Sequence, residues 1–439
     1  MFNIKKYTYS FIVCILFLAS TSWTGYQTDR WVCDTVIGWD VAGYYAYLPA
    51  VFIYKDVKQY DFYKVIDNWY KPSGDRQFYA LDKHAPSGNR LNKYTLGVSY
   101  FEVPFFFLAH WYAGISDLYP SDGYSSPYQT AVLFSTILFV FLGFLILRKF
   151  LLEYGFKDVP IALSLLVLGL ATNLFHYTAI LPGMGHPYSF FLYACILFST
   201  QRLFTTYHSK YFIMLGLSLG LAILIRPVDI LVVIPILFWH RQHLKIIYPT
   251  LLTEHLKSVL LALACLFIVW IPQLLYWKYV TGSWFIYSYG KEGFDFTQPE
   301  IIKGLFSYRK GWFIYTPIAF ISFASLVAMV FTKKYKRYAI STLCFYLISF
   351  YIIFSWHQWY YGGSFGARIL INSLPLLAIP TCVLANKIIK GNVLGRIAMT
   401  IILVFSIGLN LFQSDQYNRG VLHWDSMSKE YYWRIFLKE

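Results

Sequence analysis

The residues able to do acid–base or phosphate chemistry in this chain come in six short phrases. The stretch Gly38-Trp39-Asp40-Val41-Ala42-Gly43-Tyr44-Tyr45-Ala46-Tyr47-Leu48-Pro49 holds one carboxylate among glycines and tyrosines. One group there can take a proton while flat rings and hydroxyls face a polyol. The other phrases are Asn92-Lys93-Tyr94-Thr95-Leu96-Gly97, Gly183-Met184-Gly185-His186-Pro187-Tyr188-Ser189 and Gly220-Leu221-Ala222 running to Arg226-Pro227-Val228-Asp229. Last come Leu305-Phe306-Ser307-Tyr308-Arg309-Lys310-Gly311-Trp312 and the run from Trp356-His357-Gln358-Trp359 to Gly366-Ala367-Arg368.

Each phrase also has a plainer use. Asp40 can cap a helix or pair with a cation, Lys93 can snorkel to an interface, and His186 can start a helix. Arg309 and Lys310 can touch lipid phosphates, and the Trp and Tyr residues can form an interfacial belt. Arg226 and Arg368 are harder to account for, because an arginine near the outer end of a span needs an anionic partner.

Composition sets what must position these groups. Hydrophobic residues make up 57% of 439 and charged residues 13%, and mean hydropathy is +0.49. A soluble domain carries roughly 25% charged residues. Apolar runs read at 8–25, 97–115, 128–147, 159–178, 188–206, 211–225, 228–240, 257–276, 312–331, 338–355, 367–385 and 395–412, and runs of this kind cross ~30 Å of hydrocarbon as helices. The fold class is an all-α polytopic membrane protein. Its membrane domain runs over 1–412, with external loops at 26–127 and 277–311 and a short external tail at 413–439.

The formal charge of +15 is scattered between spans rather than gathered in one patch, which fits positive-inside bias and anionic headgroups far better than nucleic acid. Lys5 and Lys6, Arg148/Lys149/Lys157, Arg202/Lys210, Arg241/Lys245, Lys333/Lys334/Lys336/Arg337 and Lys387/Lys390/Arg396 share the cytoplasmic side only if 97–115 does not cross. That segment carries Glu102, Pro104 and His110, and a charge at a helix centre costs roughly 2.5–3.5 kcal/mol on insertion scales. It therefore reads as an interfacial helix, leaving about eleven crossings, the N-terminus inside and the C-terminus outside. The first run resembles a signal peptide but reads as a retained helix. The six cysteines have no metal-like spacing; five fall in apolar runs and only Cys33 reads as external.

The order of these features resembles the GT-C superfamily of polyprenol-phosphate-sugar glycosyltransferases, and most resembles its bacterial protein O-mannosyltransferase-like and aminoarabinose-transferase-like, family 39-like branch. The likeness rests on a first helix before a long loop with an early acid (Asp40) and on Lys93-Tyr94-Thr95-Leu96-Gly97. It rests also on Gly220-Leu221-Ala222 before Arg226-Pro227, and on the late Trp-x-x-Trp-x-x-Gly-Gly-x-x-Gly-x-Arg phrase ending at Arg368. Where many relatives pair two acids, this chain has Trp39-Asp40-Val41, and the loop that supplies metal-binding acids in oligosaccharyltransferases offers His186 instead. No metal held by clustered carboxylates is expected, and no other cofactor.

The resemblance implies inverting transfer from a polyprenyl (undecaprenyl) phosphate sugar to an acceptor hydroxyl of a glycan, lipid or protein, at the periplasmic face of a bacterial inner membrane. Asp40 would be the general base. Arg226, Arg368, Arg309, Lys93 and Lys310 would meet the departing phosphate. Tyr44, Tyr45, Tyr94, His186, Trp356 and Trp359 would contact sugar, acceptor or lipid. The alternatives are a lipid-linked oligosaccharide ligase or polymerase, and a flippase or transporter; the latter would line a path with charges at mid-membrane depth.

Overall fold

The computed structural model describes residues 8–30, 36–239, 249–251 and 253–438. Lys5, Lys6, Cys33, Arg241 and Lys245, which entered the charge and cysteine reading, lie outside the described residues. The chain is a helical, multi-pass membrane protein. Among the described residues, six helices are long and apolar enough to cross a bilayer: Thr8–Gln27, Ser126–Glu153, Leu256–Thr281, Lys336–Phe354, Arg368–Lys390 and Val393–Asn418. Shorter apolar helices lie at Asp158–Leu170, Ser209–Ile225, Pro227–Phe238 and Pro317–Met329. Neither group includes the Ser99–Ile115 helix or the 22-residue Gly185–Thr206 helix.

Several apolar runs that read as continuous are broken, and proline explains most of the breaks. Pro227 and Pro375 lie in the 3₁₀ stretches Pro227–Val232 and Arg368–Leu377, and Pro317 restarts the helix after Tyr315. Proline has no N–H to give the preceding turn. The run at 159–178 divides into Asp158–Leu170 and Leu174–Ala179. The last long helix continues past 412 to Asn418 before the tail folds back into Lys429–Ile435. Within the expected all-α chain, the described residues also hold an antiparallel pair of strands, Leu81–Lys83 with Arg90–Asn92.

Hydrogen bonds sort the loops into two groups. The start of the first helix meets the basic turn at 148–158: the Ser10 hydroxyl and the Tyr9 amide donate to Asp158, and Arg148 Nε donates to Ser10 Oγ at 2.7 Å. In the second group, the segment 36–70 binds both flanks of the Ser99–Ile115 helix. Before that helix, the Asn92 side chain donates to the Gly43 carbonyl at 2.7 Å, and the Tyr47 hydroxyl reaches the Tyr94 carbonyl at 2.6 Å. After it, the Tyr45 hydroxyl reaches the Gly123 carbonyl at 2.7 Å and Tyr54 the Asp122 carbonyl at 3.0 Å. Glu102, on this helix, is 1% exposed, and neither carboxylate oxygen finds a partner among the described residues.

The Ser209–Ile225 helix ends at Arg226 and is held by backbone contact with Leu256–Ile268. A Cβ on Gly216 would stand 2.1 Å from the Ala262 carbonyl oxygen, and one on Gly220 2.5 Å from that of Leu266. Small residues four apart let two helices approach this closely. Gly216→Val should force them apart and lower stability by ~1–3 kcal/mol. Gly408→Val, where an added Cβ meets nothing within 4 Å, should leave the thermal unfolding midpoint in detergent within a degree or two of the parent.

Candidate active site

Asp40 opens the six-residue helix Asp40–Tyr45. Its carboxylate is satisfied on both oxygens. Oδ1 accepts the hydroxyls of Tyr94 at 2.6 Å and Tyr79 at 2.7 Å, and Oδ2 accepts Arg368 Nη2 at 2.8 Å. Burial alone would raise the Asp40 carboxyl, but the Arg368 charge and the three hydrogen bonds outweigh it and hold the group below its usual 3.8. It is therefore a carboxylate at neutral pH. Arg368 keeps its Nε buried and without a partner among the described residues.

Arg226, which follows the Ser209–Ile225 helix in extended conformation, turns Nη1 to His186 Nδ1 at 2.5 Å. The same Nη1 stands 3.3 Å from His186 Nε2, so the guanidinium lies against the ring rather than on one lone pair. No carboxylate lies within 4 Å of Arg226 among the described residues. Both arginines act on the same two neighbours, since Tyr44 feels the charges of Asp40, Arg226 and Arg368, and His186 feels those of both guanidinium groups. Asp229 stands at 2% exposure in the small crevice that Arg226 also lines, taking the Asn372 side-chain amide and the Tyr193 hydroxyl on Oδ1.

An aromatic wall runs away from Asp40. Tyr44 and Tyr94 have ring centroids 4.6 Å apart, Tyr94 and Tyr289 6.2 Å, and Tyr289 and Trp356 5.7 Å. Lys93 closes one side, pairing with Glu292 at 2.5 Å with its ammonium 5.0 Å from the Tyr289 ring.

The remaining sequence-derived residues lie elsewhere. Arg309 pairs with Asp425 of the tail at 2.9 Å and stacks 3.4 Å over Tyr360. Lys310 is buried and donates to the carbonyls of Ser364 and Trp424. Tyr45 is turned into the core, and Trp359 packs against the core beside Tyr360. Tyr79, Tyr289 and Glu292 were not singled out from sequence. Nothing marks Tyr79 among 39 tyrosines, and Glu292 becomes notable only once it faces Lys93.

No group of three or more His, Cys, Asp or Glu side chains placed to hold a metal occurs among the described residues. No protein-family model matches the chain, and no curated protein matches it.

Lys310 gives the fold a pH dependence of its own. Burial pulls its ammonium from 10.5 down to about 7, with Asp425 opposing and Arg368 and Arg309 adding to the shift. Between those values the unfolded chain holds more protons than the folded one, so stability from this group rises with pH. The unfolding midpoint should climb from about pH 7 toward 10.5, and Lys310→Met should flatten that climb.

Proposed function

We propose that the protein is an inverting glycosyltransferase, moving a sugar from a polyprenyl phosphate such as undecaprenyl phosphate to an acceptor hydroxyl. The observation that carries this reading is the pairing of an ionised carboxylate with two guanidinium groups around one tyrosine. One guanidinium is bonded to the carboxylate, and the other has no carboxylate within salt-bridge distance among the described residues. In the reaction the acceptor oxygen attacks the anomeric carbon and its proton passes to Asp40. The bond from that carbon to the phosphate oxygen breaks, and the electron pair leaves with the lipid phosphate. The low proton affinity of Asp40 suits a late transfer, since the hydroxyl acidifies as its new C–O bond forms. Arg226 meets the charge growing on the phosphate, and Arg368 orients the base.

The setting in the membrane belongs to the same proposal. A Ser99–Ile115 helix bonded at both flanks to one loop is what a non-crossing segment requires. The first helix begins against the basic turn at 148–158. Both features favour about eleven crossings, with basic turns in the cytoplasm and Asp40 on the periplasmic side of a bacterial inner membrane.

Incubating the purified protein with a panel of polyprenyl-phosphate sugars should release free polyprenyl phosphate. A lipid-linked oligosaccharide ligase would release polyprenyl diphosphate instead, and a flippase would release neither. Asp40→Asn should keep the fold while transfer drops about 10²–10⁴-fold; near-normal transfer in that variant removes the base from the mechanism. Arg226→Ala should raise the donor KM roughly tenfold or more, the loss of a charge-assisted hydrogen bond. An unchanged affinity for the lipid phosphate would take Arg226 out of the phosphate site.

A further inference from the structure

Trp39 and Tyr79 stand on two segments that meet at Asp40, and both segments are held in backbone conformations that ordinary residues avoid. Trp39 has φ 52° and ψ −124°, and Phe78 and Ala80, on either side of Tyr79, have φ 53° and 65°. Non-glycine residues of this kind persist where the surrounding structure over-determines them, and they cluster at ligand sites. The Trp39 N–H is tied to the Pro72 carbonyl at 2.9 Å, and its indole is left 55% exposed while Asp40, the next residue, is turned inward. The indole meets Tyr79 edge to face at 5.3 Å, and the Arg76 guanidinium lies 5.0 Å from the centre of the Tyr79 ring. The Tyr79 hydroxyl donates to Asp40 Oδ1. The other donor to that oxygen, Tyr94, is 8% exposed, whereas Tyr79 is only partly covered. Of the two phenols on that oxygen Tyr79 is therefore the more exposed, and the exposed indole of Trp39 stands against it.

We propose that Trp39 and Tyr79, with Arg76 at their edge, form the acceptor subsite, and that the acceptor is a carbohydrate whose pyranose ring stacks on the indole. This rests on the glycosyltransferase reading above. The C–H face of a sugar ring matches a single exposed aromatic plane, and a guanidinium beside it serves ring hydroxyls. The acceptor hydroxyl then arrives where Tyr79 now donates and takes its place on Asp40.

Trp39→Gly separates stacking from folding, because glycine adopts φ near +52° without strain. Its unfolding midpoint should equal or exceed that of the parent. Saturation-transfer NMR with methyl β-D-glucoside, methyl β-D-galactoside and methyl α-D-mannoside, with no donor present, should show transfer to ring C–H protons on the parent protein. The signal should fall at least fivefold in Trp39→Gly and stay within twofold in Trp39→Phe. In turnover assays the acceptor KM should rise tenfold or more in Trp39→Gly, with a smaller change in kcat. Equal saturation transfer in parent and Trp39→Gly, or transfer only to a Ser/Thr-containing peptide, would overturn the proposal. An indole that serves merely as an interfacial anchor gives the first of these results. Failure of the parent to release polyprenyl phosphate from every donor counts against the glycosyltransferase reading, and the NMR comparison is read independently of it.

Discussion

The ion pair between Asp40 and Arg368 joins positions 328 apart in the chain, and the site takes its shape from it. Both side chains are mostly buried, at 14% and 15% exposure. Two charges removed from water regain their hydration cost only when geometry is good and the remaining lone pairs are filled. Here the two phenols fill them. Breaking such a pair from one side typically costs ~3–5 kcal/mol, because the survivor is left charged and alone. The carboxylate is thus fixed in direction and kept ionised by the same contacts, and the first long loop is pinned to the head of the Arg368–Lys390 span.

The other cations divide by what already occupies them. Lys93 has Glu292, Arg309 has Asp425, and Lys310 has two carbonyls. A cation with a carboxylate partner must give it up before binding an anion, and in a poorly hydrated site that exchange is expensive. Arg226 rests against a histidine ring instead. It can turn to an incoming anion without abandoning a carboxylate, which sets it apart from cations that looked equivalent in sequence.

The helical membrane class was legible because apolar runs of bilayer length leave few other structures open to a buried backbone. Helix limits were less legible where Pro227, Pro317 and Pro375 replace regular turns with 3₁₀ or restarted helix, since a hydropathy run is blind to backbone hydrogen bonding. Of the site, Asp40, Arg226, Arg368, His186, Tyr44 and Tyr94 were nameable from their phrases, and these are the residues found together. Lys310 was nameable too, but whether a lysine meets solvent, ligand or a carbonyl depends on where the tail folds. Tyr79 left no trace at all, because its role comes from two left-handed neighbours rather than from any pattern of residue types. The small-residue spacing at Gly216 and Gly220 had a visible form but gained a physical meaning only when the facing carbonyls were placed.

The span of the Asp40–Arg368 pair also sets an order of assembly. The chain is made from its N-terminus at ~5–20 residues per second, so Asp40 precedes its arginine by roughly 15–65 s. Its phenolic partners, Tyr79 and Tyr94, lie only 39 and 54 positions away. The local donors are therefore synthesised early and can shelter the acid through most of translation, while the guanidinium arrives with the later spans. A ribosome that stops before position 368 leaves a loop able to hold its carboxylate but without the charge that completes it.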